Sequence, residues 1–464
     1  MNRRGALKLG AKIGAVGAAG LFGGYHLLPP GPSRNLESVD VLARRLYTSL
    51  DETQRAETCV GYDHPLRQYH NRGVWGGGRE IFFGFNRQQR SVLTDLMYSG
   101  LSPEGQGRVP QEDFTRWSGV HSMRALICGD PTAGPYQVIL TGVHLNLRLG
   151  GKSREGAAFG GPQVYGDQRG NERVGLPGNV YREQFLLAQR LLHTLDDGRK
   201  KIAVLPEAPV QTGIELQGRG GSFPGIPLSE LAQEGKDLAR TLVDRILSTY
   251  YADDVAYAQE CLTANGGLDA LWLSYYQHGE DGDIPEAQVF RLEGPASVFY
   301  FRGSPHVHAF INVAMDAAAP LSVGESLGNN PAWLDRAGVK GLFEAALKGQ
   351  TAADLAYYPD GSVAGRLRVG TIRTGDIYSL ESWQEPSAMV EIRGSNLASA
   401  LVSNLRQHGK TLDSDRLYKV ATTEYAASDL ENKLGKIHNR KPGLLVRDLA
   451  IAHLKAHGFS KLDV

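Results

Sequence analysis

Between residues 121 and 149 the hydrophobic period of this chain drops from helical spacing to two, and that change limits the fold more than any other feature. His121 to Cys128 and Tyr136 to Leu149 read as strands. In the second, Ile139, Thr141, Val143, Leu145, Leu147 and Leu149 are assigned to one face. Val138, Leu140, Gly142, His144, Asn146 and Arg148 are assigned to the other, which places His144 on the more polar side. Residues 268–278, 287–293, 296–302 and 306–315 read as further, antiparallel strands.

Helical spacing flanks them. Leu36, Val39, Leu42, Leu46 and Leu50 mark a first amphipathic helix, and residues 86–98 a second that ends at Ser99-Gly100. Helices are also expected at about 180–195, with Phe185, Leu186, Leu192 and Leu195 inward and Glu183 in the first turn, and at about 229–249 and 253–264. The fold class is α+β: a mainly antiparallel sheet with flanking helices, plus a second, smaller α/β domain. The texture resets at Asn329-Asn330-Pro331. The expected layout is therefore a signal at 1–30, a first domain at 31–316, a linker at 317–337 and a second domain at 338–464.

Lys+Arg and Asp+Glu both total 50, and this balance argues against a nucleic-acid partner. With 41% hydrophobic and 22% charged residues, the composition is globular rather than disordered. Arg3-Arg4 before the Gly/Ala-rich apolar stretch Ile13 to Leu28, closed by Pro29-Pro30, resembles a twin-arginine export signal, although Ala6 stands where a bulky apolar residue is usual. A periplasmic or secreted location follows, and an uncleaved signal would leave a membrane tether. The spacing of Cys59, Cys128 and Cys261 suits no metal site. Export would permit one disulfide, and Cys128, in an apolar run, is expected to be buried.

His306-Val307-His308 carries the most chemistry. On a strand, residues i and i+2 project to one face, so two neutral imidazoles can converge on one zinc, copper or iron ion. His144 is a candidate third ligand, and Glu183 a ligand or general base. The pair alone is weak evidence, since two surface histidines or a hydrogen-bonded pair are commoner arrangements. His64, His70 and His193 fall in loop or helix settings with no such pattern. No Gly-x-Ser-x-Gly elbow is present, and Gly218-Arg219-Gly220-Gly221-Ser222 lacks the Lys-Ser/Thr ending of a phosphate loop.

Several unlike motifs recur in order over about residues 36–316. They are Phe85-Asn86-Arg87-Gln88-Gln89-Arg90, Leu101-Ser102-Pro103-Glu104-Gly105, Gly142-Val143-His144-Leu145-Asn146-Leu147, Phe159-Gly160-Gly161-Pro162, the helix holding Glu183, Phe290-Arg291-Leu292-Glu293-Gly294-Pro295, and His306-Val307-His308. Together they resemble the bacterial domain-of-unknown-function family 3500. The resemblance matches His144, Glu183, His306 and His308, whereas the family's paired histidines fall at Val143-His144 and its acid at Tyr300. It implies a functional histidine site with an altered ligand set.

Residues 338–428 resemble the carboxyl-terminal domain of bacterial 5′-nucleotidases. The matching residues are Gly341 to Ala346, Ala353 to Ala356, Gly370 to Tyr378, Ile392 to Leu397 and Tyr418 to Thr422. In that family this domain recognises the nucleotide, but its Asn-x-Gly-Gly-x-Arg element is replaced by Pro359-Asp360-Gly361-Ser362, and the dimetal phosphoesterase motifs are missing. The expectation is an exported metal-dependent hydrolase acting on a small molecule through a divalent or transition metal held by His144, His306 and His308, with Glu183 catalytic. The alternatives are a non-catalytic periplasmic ligand- or nucleotide-binding protein and purely structural histidines.

Overall fold

The computed structural model describes residues 37–459 apart from 69–76, 110–122, 143, 151–155, 168–178, 210–213, 215, 280, 281, 285, 286, 304, 305, 318–323, 364, 382, 400, 403, 404, 406–410 and 430. The segment expected as an export signal, His70, His121 and Val143 lie outside the described residues. The chain divides into two compact units between residues 321 and 322.

The first unit is built on a sheet that runs through thirteen strands among the described residues. Its central path uses β1 (Cys59–Val60), β3 (Arg124–Gly129), β4 (Tyr136–Thr141), β5 (Leu145–Leu149), β6 (Gln163–Asp167), β13 (Val307–Val313), β12 (Ser297–Arg302), β11 (Val289–Gly294), β9 (Trp272–Gly279) and β10 (Gly282–Asp283), in that spatial order. β2 (Arg79–Glu80) joins β3, while β7 (Val204–Glu207) and β8 (Ile226–Pro227) join β9. Apart from β1–β3 and β7–β9, every pairing is antiparallel, as the short alternating runs predict.

The expected continuous strand 136–149 is instead a hairpin. Gly142 N–H donates to the Leu145 carbonyl at 2.7 Å and turns the chain. Thr141 pairs with Asn146 and Leu140 with Leu147, so odd positions of β4 share a face with even positions of β5. The single-face assignment of Val138 and Leu140 with His144 is therefore corrected: those two join Leu145, Leu147 and Leu149 in the core. His144 remains on the face of Asn146 and Arg148, because alternation holds within β5 itself.

Helices cover the apolar face. α1 (Val39–Ser49) and α2 (Arg87–Ser99) bury Leu42, Leu46, Leu93 and Leu96, and α3 (Arg182–His193), α4 (Gln233–Leu247) and α5 (Ala252–Ala264) bury Phe185, Leu191, Leu242, Ile246 and Cys261. Each fully buried aliphatic side chain contributes about 1.5–3 kcal/mol, so this layer sets the fold. Asn86 explains one recurring motif without any chemistry. Its side chain accepts from Gln89 N–H, and the Gln89 side chain accepts from Asn86 N–H, both at 3.0 Å, which closes a capping box at the start of α2.

No disulfide joins Cys59, Cys128 or Cys261 among the described residues. Cys128 and Cys261 are buried, and burial pushes the Cys128 thiol up to about 12, so it is inert filler.

In the second unit, α6 (Arg336–Thr351) and α7 (Val446–His457) pack on a four-stranded sheet ordered β15 (Leu355–Ala356), β18 (Leu417–Thr423), β17 (Pro386–Leu397), β19 (Gly435–Leu445). A separate ladder pairs β14 (Ser326–Asn330) with β16 (Gly370–Arg373). β14 lies inside the stretch expected as linker. Its residues are largely exposed and polar, so no hydrophobic alternation announces it.

Candidate metal centre

His144 precedes β5, and His306 and His308 flank Val307 at the start of β13, with β6 between these two strands. The register makes the meeting inevitable. His308 pairs with Gly166 of β6, and Leu145 pairs with Tyr165, so extending the second ladder by one residue sets His144 against the other side of Gly166. Gly166 is the cradle. A Cβ there would stand 3.1 Å from Cδ2 of both His144 and His308 and would overlap the Val307 carbonyl. Only glycine lets both rings close over the strand.

The three rings converge. Their centroids lie 5.1 Å apart for His144–His306, 5.2 Å for His144–His308 and 4.7 Å for His306–His308. One ring nitrogen from each lies within 4.8 Å of the others. His306 and His308 meet through their Nε2 atoms at 3.0 Å. Three nitrogens bound to one ion at about 2.0–2.1 Å need separations of roughly 3–4 Å, which small rotamer shifts supply.

His144 and His308 are buried, and His306 is partly exposed. Burial, helped by the nearby Arg302 charge, holds His144 down at about 4, so its ring is neutral at pH 7 and keeps a lone pair. Its Nδ1 is buried without a hydrogen-bond partner. Such an orphan costs about 1–3 kcal/mol, which a ligand at this point would recover. The orphan, the glycine cradle and the neutral donor set all fit a divalent or transition metal with nitrogen preference.

Arg302 adds a constraint that the sequence reading missed. It pairs with His308 in the β12–β13 ladder, and its Nη2 lies 3.2 Å from His308 Nδ1. A guanidinium only donates, so His308 Nδ1 accepts and its ring proton sits on Nε2. That proton is then donated to His306 Nε2, and His306 carries its own on Nδ1. A signal for Arg302 existed: predicted antiparallel strands at 296–302 and 306–315 with any register pairing Arg302 to an even-numbered residue put it on the histidine face.

Glu183 stands elsewhere in the fold's ion-pair framework. Its half-exposed carboxylate pairs with Arg245 Nε at 3.2 Å and Arg108 at 4.0 Å, and Glu104 joins both arginines. Among the described residues the structure brings together the three histidines and leaves Glu183 out of that group. His64 caps a turn, its Nδ1 accepting from Leu66 N–H at 3.2 Å, and His193 ends α3 on the surface. Tyr300 is buried beside Phe310, on the same sheet face as Arg302.

No family model matches the chain, and no curated protein does. Among solved structures, a 5'-nucleotidase precursor from Thermus thermophilus is 12% identical, with a TM-score of 0.25 over 39% of this chain and 50% of that one. A putative 5'-nucleotidase from Staphylococcus aureus, solved in complex with alpha-ketoglutarate, is 10% identical, with a TM-score of 0.22 over 41% and 51%. The chain spans about half the length of these structures. Overlaps this low carry no argument about chemistry, which rests on the histidine geometry.

Proposed function

We propose that this protein is an exported metal-dependent enzyme, most simply a hydrolase of a small molecule, whose first unit is a member of family 3500 and holds the metal through His144, His306 and His308. The observation that supports this is the convergence of three imidazoles from two strands over Gly166. A divalent ion there would supply Lewis acidity, acidifying bound water and polarising a substrate oxygen.

The chain's own contribution is to keep the rings neutral by burial and to fix their directions through the sheet register. To present Nε2, His308 moves its proton to Nδ1, which then no longer accepts from Arg302. The proposed export uses Arg3-Arg4, and lysine at both positions should trap precursor inside the cell. The decisive experiment is metal analysis of purified protein, with and without reconstitution by zinc, copper or ferrous iron. Stoichiometric uptake that His306→Ala with His308→Ala removes supports the reading. Protein that stays metal-free under every condition sinks it.

One observation favours a second reading. The Arg302–His308–His306 chain satisfies the facing ring nitrogens with no ion present, which is what a structural cluster needs. The same metal analysis separates the two.

A further inference from the structure

We infer that the last turn of α7 carries a second metal site, in which His453 and His457 chelate one late transition ion of the copper(II), nickel(II) or zinc(II) class. The site lies in the other unit of the chain and does not depend on the histidine trio.

The first support is spacing. His453 and His457 stand at i and i+4 of one helix, so their rings leave the same face one turn apart. The ring centroids are 4.9 Å apart and the planes are tilted by 57°. That separation matches those within the trio. Two nitrogens on one ion at about 2.0–2.1 Å need to be roughly 3–4 Å apart, which rings this close reach by small rotations.

The second is an unmet bonding need. His453 is only 6% exposed, and both of its ring nitrogens are buried without a hydrogen-bond partner. Its Nδ1–Cε1 edge faces Gly349 of α6, where a Cβ would stand 3.4 and 3.7 Å away, so that position offers no side chain to bond it. A neutral imidazole holds a lone pair on one nitrogen and a proton on the other, and here burial leaves both unanswered. A metal ion takes the lone pair.

The third is access and charge. His457 is exposed, so an ion arriving from solvent meets its ring first and reaches inward to His453. A histidine ligand binds through one ring nitrogen and leaves the other to a hydrogen bond, so His457 can ligate without giving up a contact there. The carbonyl end of a helix favours positive charge, and Lys455, between the two histidines, is held by Glu325 at 2.6 Å. Nitrogen donors select copper, nickel and zinc over magnesium and calcium. Among the described residues no acid or thiol completes a three-ligand group here, so water takes the remaining positions and the site is weaker than the trio.

The test titrates nickel(II) into the full wild-type chain and into His457→Ala by calorimetry, with amide exchange followed in parallel. His457→Ala should bind one equivalent fewer, or bind it at least about ten-fold more weakly, whatever the trio takes up. The substituted residue is exposed, so metal-free His457→Ala should unfold at the wild-type temperature, which shows that the variant is folded. Nickel should slow exchange over residues 453–457 in wild type and not in His457→Ala. His438→Ala, an exposed histidine on β19, should change neither readout. Uptake at this site should survive His306→Ala with His308→Ala, and uptake that this double variant abolishes altogether overturns the inference. Equal uptake by wild type and His457→Ala, or no slowing of exchange at the end of α7, means an adventitious ion only and overturns it too.

Discussion

Gly166 and His308 face each other in the β6–β13 ladder, and the glycine's missing side chain is the space over which the His308 ring closes toward His144. The vacancy is filled from both sides, because the His144 ring approaches as closely as that of His308.

Gly166→Ala should therefore damage the site more than the fold. The added methyl meets two ring edges and the Val307 carbonyl, and overpacking of this kind costs typically about 1–3 kcal/mol. Thermal unfolding should show a modest loss, while metal content falls to background. Retention of full metal content would mean that the rings do not depend on this cradle.

Removing ligands one at a time should be graded. His144→Ala leaves the adjacent His306–His308 pair, and His308→Ala leaves two rings on separate strands. Loss of one ligand of three should lower metal affinity by at least about 100-fold, read by competition with a chromophoric chelator. His193→Ala, on the surface of α3, should change nothing.

Glu183→Gln tests whether the acid acts in the site or between helices. Its carboxylate is half-exposed and paired with Arg245, and exposed pairs contribute about 0–1 kcal/mol. The expected result is unchanged metal content and a small, salt-sensitive loss of stability. A large fall in metal content would restore Glu183 as a ligand.

The second unit should show its own pH dependence through Glu381. This carboxyl is buried, Oε1 accepts from Glu385 N–H at 3.3 Å, Oε2 has no partner, and burial raises it from 4.5 to about 7. Between those values the folded state holds a proton that the unfolded state has released. Its contribution is thus fully present below about 4.5 and is lost as pH rises through about 7, roughly 3 kcal/mol in all. Glu381→Gln, which mimics the protonated form, should unfold near wild type at pH 4.5 and at a higher temperature than wild type at pH 8. A lower unfolding temperature at pH 8 would refute the assignment.

Much of this was legible from the chain. Helical spacing located α1 to α5, and the i, i+2 rule placed His306 and His308 on one face. Alternation places His144 on the polar side within β5, but it cannot reveal the turn before it, because every residue there continues the pattern. Gly166 went unnoticed because Gln163 to Asp167 is a five-residue strand with a glycine inside it, a weak signal unless the neighbouring rings are known. Arg302 required a register, which depends on contacts between strands rather than on either strand alone. Glu183 matched a motif whose positions also serve an ion-pair framework, and sequence order does not distinguish the two.

The turn between β4 and β5 spans residues 142–144, and its odd length carries a consequence for descent. Gaining or losing a residue there would rotate either His144 or the leucines of β5 to the wrong side of the sheet. Relatives that keep this centre should therefore keep His144 and hold the length of that turn fixed.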